Sequence, residues 1–567
     1  MKNQWVIKPT PSTEIVKLLM DEVRLPLPLA TILAQRGVNS YNLAKEYFRP
    51  TLSTLHDPYL MKDMEKAVSR VIQAIEKEEN ILVYGDYDVD GTTSVAMMYD
   101  FLKSIYPNVS YYIPDRYTEG YGISFQGIDF AKDNNVSLII ALDCGIKAVD
   151  KIEYANEKEV DFIICDHHLP GEKLPKAFAV LDPKRPDCTY PFKELSGCGV
   201  GFKLIQALGE KLEISQENIL NYLDLLAVSI AADIVPMVGE NRVLAHYGIK
   251  KLKESPRPGL AILLGESQKE NLKISNIVFS IAPKINATGR LEHASQSVEL
   301  LISKDQEKIS TFATQINDLN IQRKETDGDV TVRAIEQIKL QQEEDRYSTV
   351  VFDSDWHKGV LGIVASRLIE TYYKPTVVLT EGNEGEITGS ARSVKGFDIY
   401  EIIDSCSDYL LRYGGHRFAA GLTMTKENFL VFKEKFETLV KEKIRPTQRE
   451  PSLEIDTELN FSEINPKFLN ILQQMEPFGP ENMTPLFLTK NLIGGDIKEM
   501  GKKKEHLRLT IMDVETNKFT AVAFGMGELA KDFRYHKFDV VYSIDENNWR
   551  GNTYLQLNIR DVRFSDQ

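Results

Sequence analysis

The chain has 567 residues, too many for one hydrophobic core, so three or four domains of ordinary size are expected. Its 43% hydrophobic content is that of a globular protein, and a net charge of −15 argues against indiscriminate binding to phosphate polymers without excluding a local basic groove. The five cysteines (Cys144, Cys165, Cys188, Cys198, Cys406) are odd in number, scattered and without C-x-x-C spacing, which speaks against a disulfide framework or a zinc knuckle and for reduced thiols. No positively charged apolar leader opens the chain, and its most apolar stretch, Leu223 to Val238, is broken by Asp224 and Asp233. A soluble, cytoplasmic protein without a membrane partner is expected.

Residues 1–60 contain Pro9, Pro11, Pro26 and Pro28 with short helical stretches such as Leu29 to Arg36, and read as a packing extension without chemistry. Met64 to Glu79 places Ala67, Val68, Val71, Ile72 and Ile75 on one helical face. The apolar run Ile81 to Tyr84 then predicts a buried strand, and Thr92 to Leu102 a helix through Val95, Met98, Tyr99 and Leu102. Between them lie Asp86, Asp88 and Asp90, on a strand-to-helix turn at the edge where open α/β sheets bind ligands. Carboxylates this close repel one another unless a cation neutralises them, and hard oxygen ligands favour Mg²⁺ or Mn²⁺ over zinc. The alternative is an Asp-Gly-rich surface turn.

Short apolar runs follow at Val109 to Ile113, Leu138 to Leu142, Phe162 to Cys165 and Ala179 to Leu181, separated by helical patterns, as in a parallel sheet covered on both faces. The second run ends in Asp143 and the third in Asp166, His167 and His168, so three strands bring ligand-type residues to one edge. The apolar helix Leu223 to Ala232 runs into Asp233, an acid that needs a partner; taken alone, it reads as a helix-end carboxylate bonded in a turn.

Residues 297–345 are polar with sparse helical apolars (Ile309, Phe312, Ile316, Leu319) and predict a connecting helix between two lobes. Residues 346–445 restart an α/β pattern: strand Thr349 to Phe352, helix Gly359 to Glu370, strands Thr376 to Leu379 and Glu386 to Ala391, helix Ile399 to Leu411. Ser390 and Arg392, two apart on one strand and preceded by Gly389, form a plausible anion clamp. Gly414 and Gly415 suggest a tight turn that aims His416 inward; the alternative is a mere turn before a strand. After a Pro-flanked linker, Ile444 to Pro451, residues 452–567 carry strands at Leu507 to Ile511, Phe519 to Phe524, Asp539 to Ile544 and Tyr554 to Ile559, which suit a five-stranded OB-fold barrel. Lys502, Lys503, Lys504, His506 and Arg508 beside Phe524, Trp549 and Tyr554 mix charge with stacking surface, as single strands require; the alternative is a solvated lysine loop and a half-buried tryptophan.

The segments GDYDVDG (85–91), ALDCG (141–145), CDHH (165–168) and AADIVP (231–236), in this order, resemble the DHH phosphoesterase superfamily, and within it the RecJ family of single-strand-specific exonucleases. INATGR (285–290), WHKGVLGIVASR (356–367), GSARS (389–393) and GGH (414–416) extend the resemblance over nearly the whole chain. It implies a DHH catalytic domain at 61–296, a smaller second lobe and a terminal OB-fold. It further implies that Asp86, Asp88, Asp143, His167 and Asp233 hold two Mn²⁺ or Mg²⁺ ions, with His168 beside the scissile phosphate. Asp90 and Asp166 fit an orienting role as well as direct coordination. By the same resemblance Ser390 and Arg392, with Arg116, grip a 5′ end, while Arg290, His357 and His416 line the cleft between the lobes. The alternative for Arg116 and Arg290 is a surface ion pair with Asp115 or Glu292.

Two cations about 3.5–4 Å apart activate a water and stabilise both attacking and leaving oxygens of a phosphodiester, so no side-chain nucleophile is required. The expectation is a metal-dependent 5′ to 3′ exonuclease hydrolysing single-stranded DNA to mononucleotides in recombination and repair, with single-strand-binding protein and a helicase as partners. The alternatives are a cyclic-dinucleotide or short-oligonucleotide phosphodiesterase with the same metal motifs, and a non-catalytic DNA-binding scaffold.

Overall fold

The structure, a computed structural model, describes residues 3–265, 271–382, 385–549 and 552–565. It divides into two units: His56–Val235 with Tyr247–Pro451, and Asn3–Leu55 with Pro236–His246 and Ser452–Gln567. The chain opens with strand β1 (Gln4–Ile7) and helices α1 (Thr13–Glu22), α2 (Leu27–Gln35) and α3 (Tyr41–Phe48), all in the second unit.

In the first unit, α4 (Met64–Glu76) leads into the alternation β2 (Asn80–Gly85), α5 (Val89–Ile105), β3 (Val109–Tyr112), α6 (Phe125–Asp133), β4 (Val136–Leu142), α7 (Val149–Glu157), β5 (Asp161–Cys165) and β6 (Ala179–Leu181). The sheet is parallel throughout, in the order β3-β2-β4-β5-β6. Both faces of its central strands are covered: Ile81 to Tyr84, Leu138 to Leu142 and Ile163 to Cys165 are fully buried, which is why they read as unbroken apolar runs. The chain leaves β2 to one side for β3 and returns to its other side for β4. That reversal opens a crevice beyond the carboxyl ends of β2 and β4, where ligands of such sheets sit.

Helices α8 (Gly197–Lys211), α9 (Gln216–Leu220), α10 (Leu223–Ala232), α11 (Gly239–Glu254), α12 (Pro258–Leu264), α13 (Ala282–Leu291) and α14 (Ser295–Ile302) follow, with a π-helical turn, Ile277–Ile281, before α13. The connecting helix expected as one element over 297–345 is two: α14 stops at Ile302, and α15 (Gln306–Leu340) starts afresh where the Asp305 carboxylate accepts the Glu307 and Lys308 N–H groups. Helix α15 buries a stripe from Ile309 to Ile338 that includes the polar residues Asn320, Arg323 and Asp327. It carries the chain to the second lobe: β7 (Thr349–Phe352), α16 (Leu361–Tyr372), β8 (Thr376–Glu381), β9 (Glu386–Arg392), α17 (Ile399–Asp404), β10 (Arg412–His416), β11 (Ala419–Thr425) and α18 (Phe429–Lys443). Its sheet order is β10-β11-β9-β8-β7, with only β7 and β8 parallel. The helix expected over Ile399 to Leu411 ends at Asp404, and Ser407–Tyr409 form a 3₁₀ turn.

The second unit holds β12 (Ser452–Ile455), β13 (Thr457–Glu458), α19 (Pro466–Gln474), β14 (Phe487–Met500), β15 (His506–Met512), β16 (Lys518–Ala523), α20 (Ala530–Tyr535), β17 (Phe538–Trp549) and β18 (Asn552–Phe564). Strands β14-β15-β16-β18-β17 pair in that order, and β17 pairs back on β14, closing the OB-fold barrel. The N-terminal segment is more than an extension. Strand β1 pairs in parallel with β12, and Leu19, Leu29, Ile32, Leu33 and Ala44 share one core with Phe468, Phe487, Leu507 and Tyr542 of the barrel. Trp5 donates from Nε1 to Asp561 Oδ2 (2.7 Å), with the Arg563 guanidinium 4.2 Å above its ring. No helix among the described residues is long and apolar enough to cross a membrane, and the five cysteines are buried free thiols.

Because Leu29 is fully buried at this shared core, Leu29→Ala should destabilise the second unit by about 2–5 kcal/mol. The measurement is a urea titration of the full chain, beside the half-exposed Val6→Ala, which should change little.

Candidate metal centre

The ends of three strands, β2, β4 and β5, and of two helices, α5 and α10, converge on the crevice. Asp86 follows β2 and is fully buried, with Oδ1 accepting the Gly122 N–H (3.4 Å) and Oδ2 unpartnered. Asp88 caps α5, accepting the Gly91 N–H (3.0 Å). Gly91 is required there, since a Cβ would lie 2.4 Å from the Asp86 carbonyl oxygen. Asp143 follows β4 with φ 60°, a left-handed conformation that aspartate tolerates better than most residues, and its N–H donates to Cys165 O (2.9 Å). A Cβ on Gly197 would sit 2.5 Å from Asp143 Oδ1, so α8 must begin with glycine.

His167 follows β5 and is the meeting point. Its Nε2 lies 3.2 Å from Asp143 Oδ1, 3.5 Å from Asp233 Oδ2 and 3.9 Å from Asp90 Oδ2, yet neither ring nitrogen has a hydrogen-bond partner. A buried imidazole with two unpartnered nitrogens among carboxylates is what a cation site looks like from its ligands. Asp143, His167 and His168 offer ligand atoms within 4.8 Å of one another, as do Asp90, His167 and Asp233.

Hydrogen bonds separate the groups available to a cation from those already engaged. Asp90 accepts the Gly197 N–H (2.7 Å), the Cys198 N–H (2.9 Å) and the Ser229 hydroxyl (2.7 Å), joining α5 to the start of α8 and to α10. Asp166 accepts the N–H groups of His167 (2.7 Å), His168 (3.1 Å) and Ile146 (2.9 Å), and its Oδ1 lies 2.7 Å from His168 Nδ1. Both are thus engaged by hydrogen bonds, whereas Asp86 Oδ2 and both His167 ring nitrogens have no partner among the described residues.

The electrostatics agree. Burial, together with the charges of neighbouring aspartates, holds Asp86, Asp143 and Asp233 well above the usual carboxylate range and raises Asp88. Burial lowers His167. Burial would lower His168 too, but the Asp166 hydrogen bond and the surrounding carboxylates hold it up to about 9, while the same imidazole keeps Asp166 well below its ordinary value against the effect of burial.

The DNA-type residues gather in the same unit. Arg392 Nη1 donates to Ser390 Oγ and to the Ala391 carbonyl (both 2.8 Å), and its guanidinium lies so close to α16 that a Cβ on Gly362 would be 2.5 Å from Nη2. The Arg116 guanidinium lies 5.0 Å from the Tyr87 ring centroid. Arg290 donates to Gly359 O (3.1 Å), and burial with the charges of Arg116, Arg392 and Arg323 pushes it down to about 10. Among the described residues neither Arg116 nor Arg290 forms an ion pair; the Asp115 carboxylate instead accepts from Tyr117 and Thr118. His357 accepts the Gly359 N–H (3.1 Å) and meets Tyr117 edge-on at 6.1 Å, and His416 is lowered by burial and by the charges of Arg392, His168 and Lys147. In the barrel Phe524 and Tyr554 are exposed and His506 packs edge-on against Phe524 at 5.2 Å; the side chain of Trp549 lies outside the described residues.

The sequence reading passed over two residues. The Tyr121 hydroxyl is 3.2 Å from His168 Nε2 and 3.5 Å from the Asp143 carbonyl oxygen. Its signal was its place between Gly120 and Gly122 in the loop after β3, at the same sheet edge. Asp182 follows β6 by the same rule of an apolar run closed by an acid; it is fully buried, its Oδ1 accepts the Lys184 N–H (2.7 Å), and its Oδ2 is unpartnered.

Comparison with known proteins agrees over the whole chain. The DHH family, N-terminal domain matches residues 80–230, the DHHA1 domain residues 344–442 and the RecJ OB domain residues 455–561. The chain is 35% identical over 574 residues to the single-stranded-DNA-specific exonuclease RecJ of Bacillus subtilis, covering 100% of this chain and 71% of that protein. It is 31% identical over 566 residues to the Escherichia coli protein of the same name, covering 95% and 96%. Among solved structures it is similar to RecJ in complex with Mn²⁺ from Thermus thermophilus (27% identity, TM-score 0.85, 100% of this chain and 80% of that one) and to the Mg²⁺ complex (26%, TM-score 0.78, 100% and 79%).

Asp143→Asn keeps the left-handed backbone and removes one repelling charge. It should raise the melting temperature of metal-free protein and shrink the further rise that Mn²⁺ gives the parent, as read by calorimetry with and without Mn²⁺. Burial, with the charge of Asp166, pushes Asp182 up to about 7. The unfolded chain ionises this group near pH 4 while the fold keeps it protonated until about pH 7, so its penalty grows across that window and is complete above it. Asp182→Asn should therefore be nearly neutral at pH 4 and stabilising by about 2–4 kcal/mol at pH 8, as measured by denaturant unfolding at the two pH values.

Proposed function

The chain belongs to the RecJ family of single-stranded-DNA-specific exonucleases, and from that premise we infer how its own residues degrade a strand. The protein is a metal-dependent exonuclease that hydrolyses single-stranded DNA. The observation that carries the reading is the buried imidazole of His167, without hydrogen-bond partners, set among carboxylates that burial and mutual charge destabilise.

Asp86, Asp88, Asp143, His167 and Asp233 would hold two divalent ions, Mn²⁺ or Mg²⁺. When bound, such a pair activates water and offsets charge on the attacking and leaving oxygens of the phosphodiester. The chain supplies the rest. Asp166 fixes both imidazoles at once, through the two backbone N–H groups and the His168 ring. His168, held up to about 9, is protonated at neutral pH and donates from Nε2 to a phosphate oxygen. In the free protein that nitrogen faces the Tyr121 hydroxyl. Asp90 keeps α8 and α10 pinned behind the site, so Asp143 and Asp233 stay aimed at it.

Ser390 and Arg392, with Arg116 and Arg290, form the anion site that receives the 5′ end, which sets a 5′ to 3′ direction and release of mononucleotides. Supporting this, Arg290 is destabilised by the other guanidinium groups and by burial, with no carboxylate ion pair among the described residues. His357 and His416 flank the path, and Phe524, Tyr554 and the basic residues of the barrel guide the strand. The cellular setting is recombination and repair, with single-strand-binding protein and a helicase as partners that supply strands.

A time course with Mn²⁺ on DNA labelled at either end, beside its duplex and its RNA counterpart, tests the reading. Release of the 5′ label first, as a mononucleotide and from single-stranded DNA, is expected; cleavage confined to cyclic dinucleotides or very short oligonucleotides would overturn it. Arg392→Ala should raise KM for a 5′-phosphorylated strand by about 10- to 100-fold, the scale of one lost charged hydrogen bond, with kcat changed far less.

A further inference from the structure

The anion clamp and the metal centre leave unused the tip of the β10–β11 hairpin. Across β9, β11 and β10 the register aligns Arg392 with Ala419 and His416, and Ser390 with Gly421 and Gly414. Paired residues project from the same face of a sheet, so Ser390, Arg392 and His416 share one face, and the positions paired with them, Gly414, Ala419 and Gly421, are small. A Cβ added at Gly414 would meet nothing within 4 Å, and one at Gly421 only the Gly389 carbonyl oxygen at 3.9 Å. The face is an open floor beside the clamp.

At the end of that floor the turn between His416 and Ala419 presents two residues, Arg417 and Phe418. Phe418 is 54% exposed and lies outside the buried core of its lobe. The Arg417 guanidinium sits 4.9 Å from its ring centroid, and the His416 ring packs edge-on at 6.0 Å. The turn is held rigidly: the Phe418 N–H donates to His416 Nδ1 (3.3 Å), its carbonyl accepts from Ser393 N–H (3.0 Å), and the Arg417 carbonyl accepts from Ile399 N–H (3.1 Å). The Ser393 bond ties the aromatic residue to the position directly after Arg392. The charges of Arg392 and His168 both act on His416, at the base of the tip. A large apolar ring held in water at this place does nothing for stability, but a ring backed by a guanidinium beside a phosphate clamp is what a nucleobase stacks on.

We propose that Phe418, backed by Arg417, stacks on the base of the terminal nucleotide whose phosphate Ser390 and Arg392 hold. The enzyme then senses a base as well as a phosphate at the end it degrades. The proposal rests on the 5′ clamp reading above.

The test compares two 5′-phosphorylated single strands with Mn²⁺, one with an intact terminal nucleotide and one whose terminal nucleotide is an abasic tetrahydrofuran residue. The wild type should favour the intact strand about tenfold in kcat/KM, mainly through KM. Phe418→Ala should bring the intact strand down to the abasic value while leaving the abasic strand unchanged, Phe418→Trp should keep the preference, and Arg417→Ala should weaken it. Wild-type enzyme that treats the two strands alike, or a Phe418→Ala variant that slows both equally, overturns the stacking assignment. If the wild type releases neither 5′ terminus while still cutting the strands elsewhere, the clamp reading itself falls and takes the assignment with it.

Discussion

The architecture of the first unit depends on the repulsion among Asp86, Asp88, Asp143 and Asp233. Each is pushed toward its neutral form by burial first and by the other carboxylates second. No chain would gather these groups for stability, since removing carboxylates from water without a partner is costly. Everything around them works to keep them together. The parallel sheet brings the ends of β2, β4 and β5 to one edge, glycines at 91 and 197 let helices α5 and α8 approach without displacing the acids, and Asp90 ties the starts of α5 and α8 to α10.

Asp90 and Asp166 show how hydrogen bonds can hold a carboxylate in such a cluster, even though the charge of Asp90 raises Asp88, Asp143 and Asp233. Each spends its oxygens on backbone N–H groups and one side chain, and Asp166 remains well below its ordinary value in spite of burial. The Asp166-His167-His168 triplet thus divides between a carboxylate engaged by backbone N–H groups and two imidazoles, of which only His167 is left without hydrogen bonds at both nitrogens.

Much of this was legible in the sequence because fully buried strands write themselves as unbroken apolar runs, and what closes each run lies at the sheet edge. The same rule applied to Ala179 to Leu181 would have flagged Asp182. Asp233 was ambiguous because a helix-end acid has a common local use, and only its 3.5 Å approach to His167 settles which neighbours it has. The second unit was harder to read for a different reason. Leu19, Leu29 and Leu33 pack on residues more than 400 positions later, so no local pattern betrays their partner. Strands β10, β11 and β14 carry glycines where alternation would otherwise show, and β14 is further broken by a register shift between Gly495 and Lys498.

The same logic of withheld partners recurs with opposite sign at Arg116 and Arg290 of the first lobe and Arg392 of the second. Burial, with the charges of Arg116 and Arg392 on Arg290 and of Arg116 on Arg392, loosens the hold of Arg290 and Arg392 on their protons, and Asp115, the acid beside Arg116, is occupied with its own turn. A protein with net charge −15 has carboxylates enough to neutralise three guanidinium groups, so their lack of ion pairs among the described residues follows from local packing and not from composition. One unit therefore carries a cluster of destabilised carboxylates and, around Arg290 and Arg392, destabilised guanidinium groups. On the function proposed above, metal ions and the DNA strand would relieve the two in turn, so that stability withheld from the free protein would be recovered on binding.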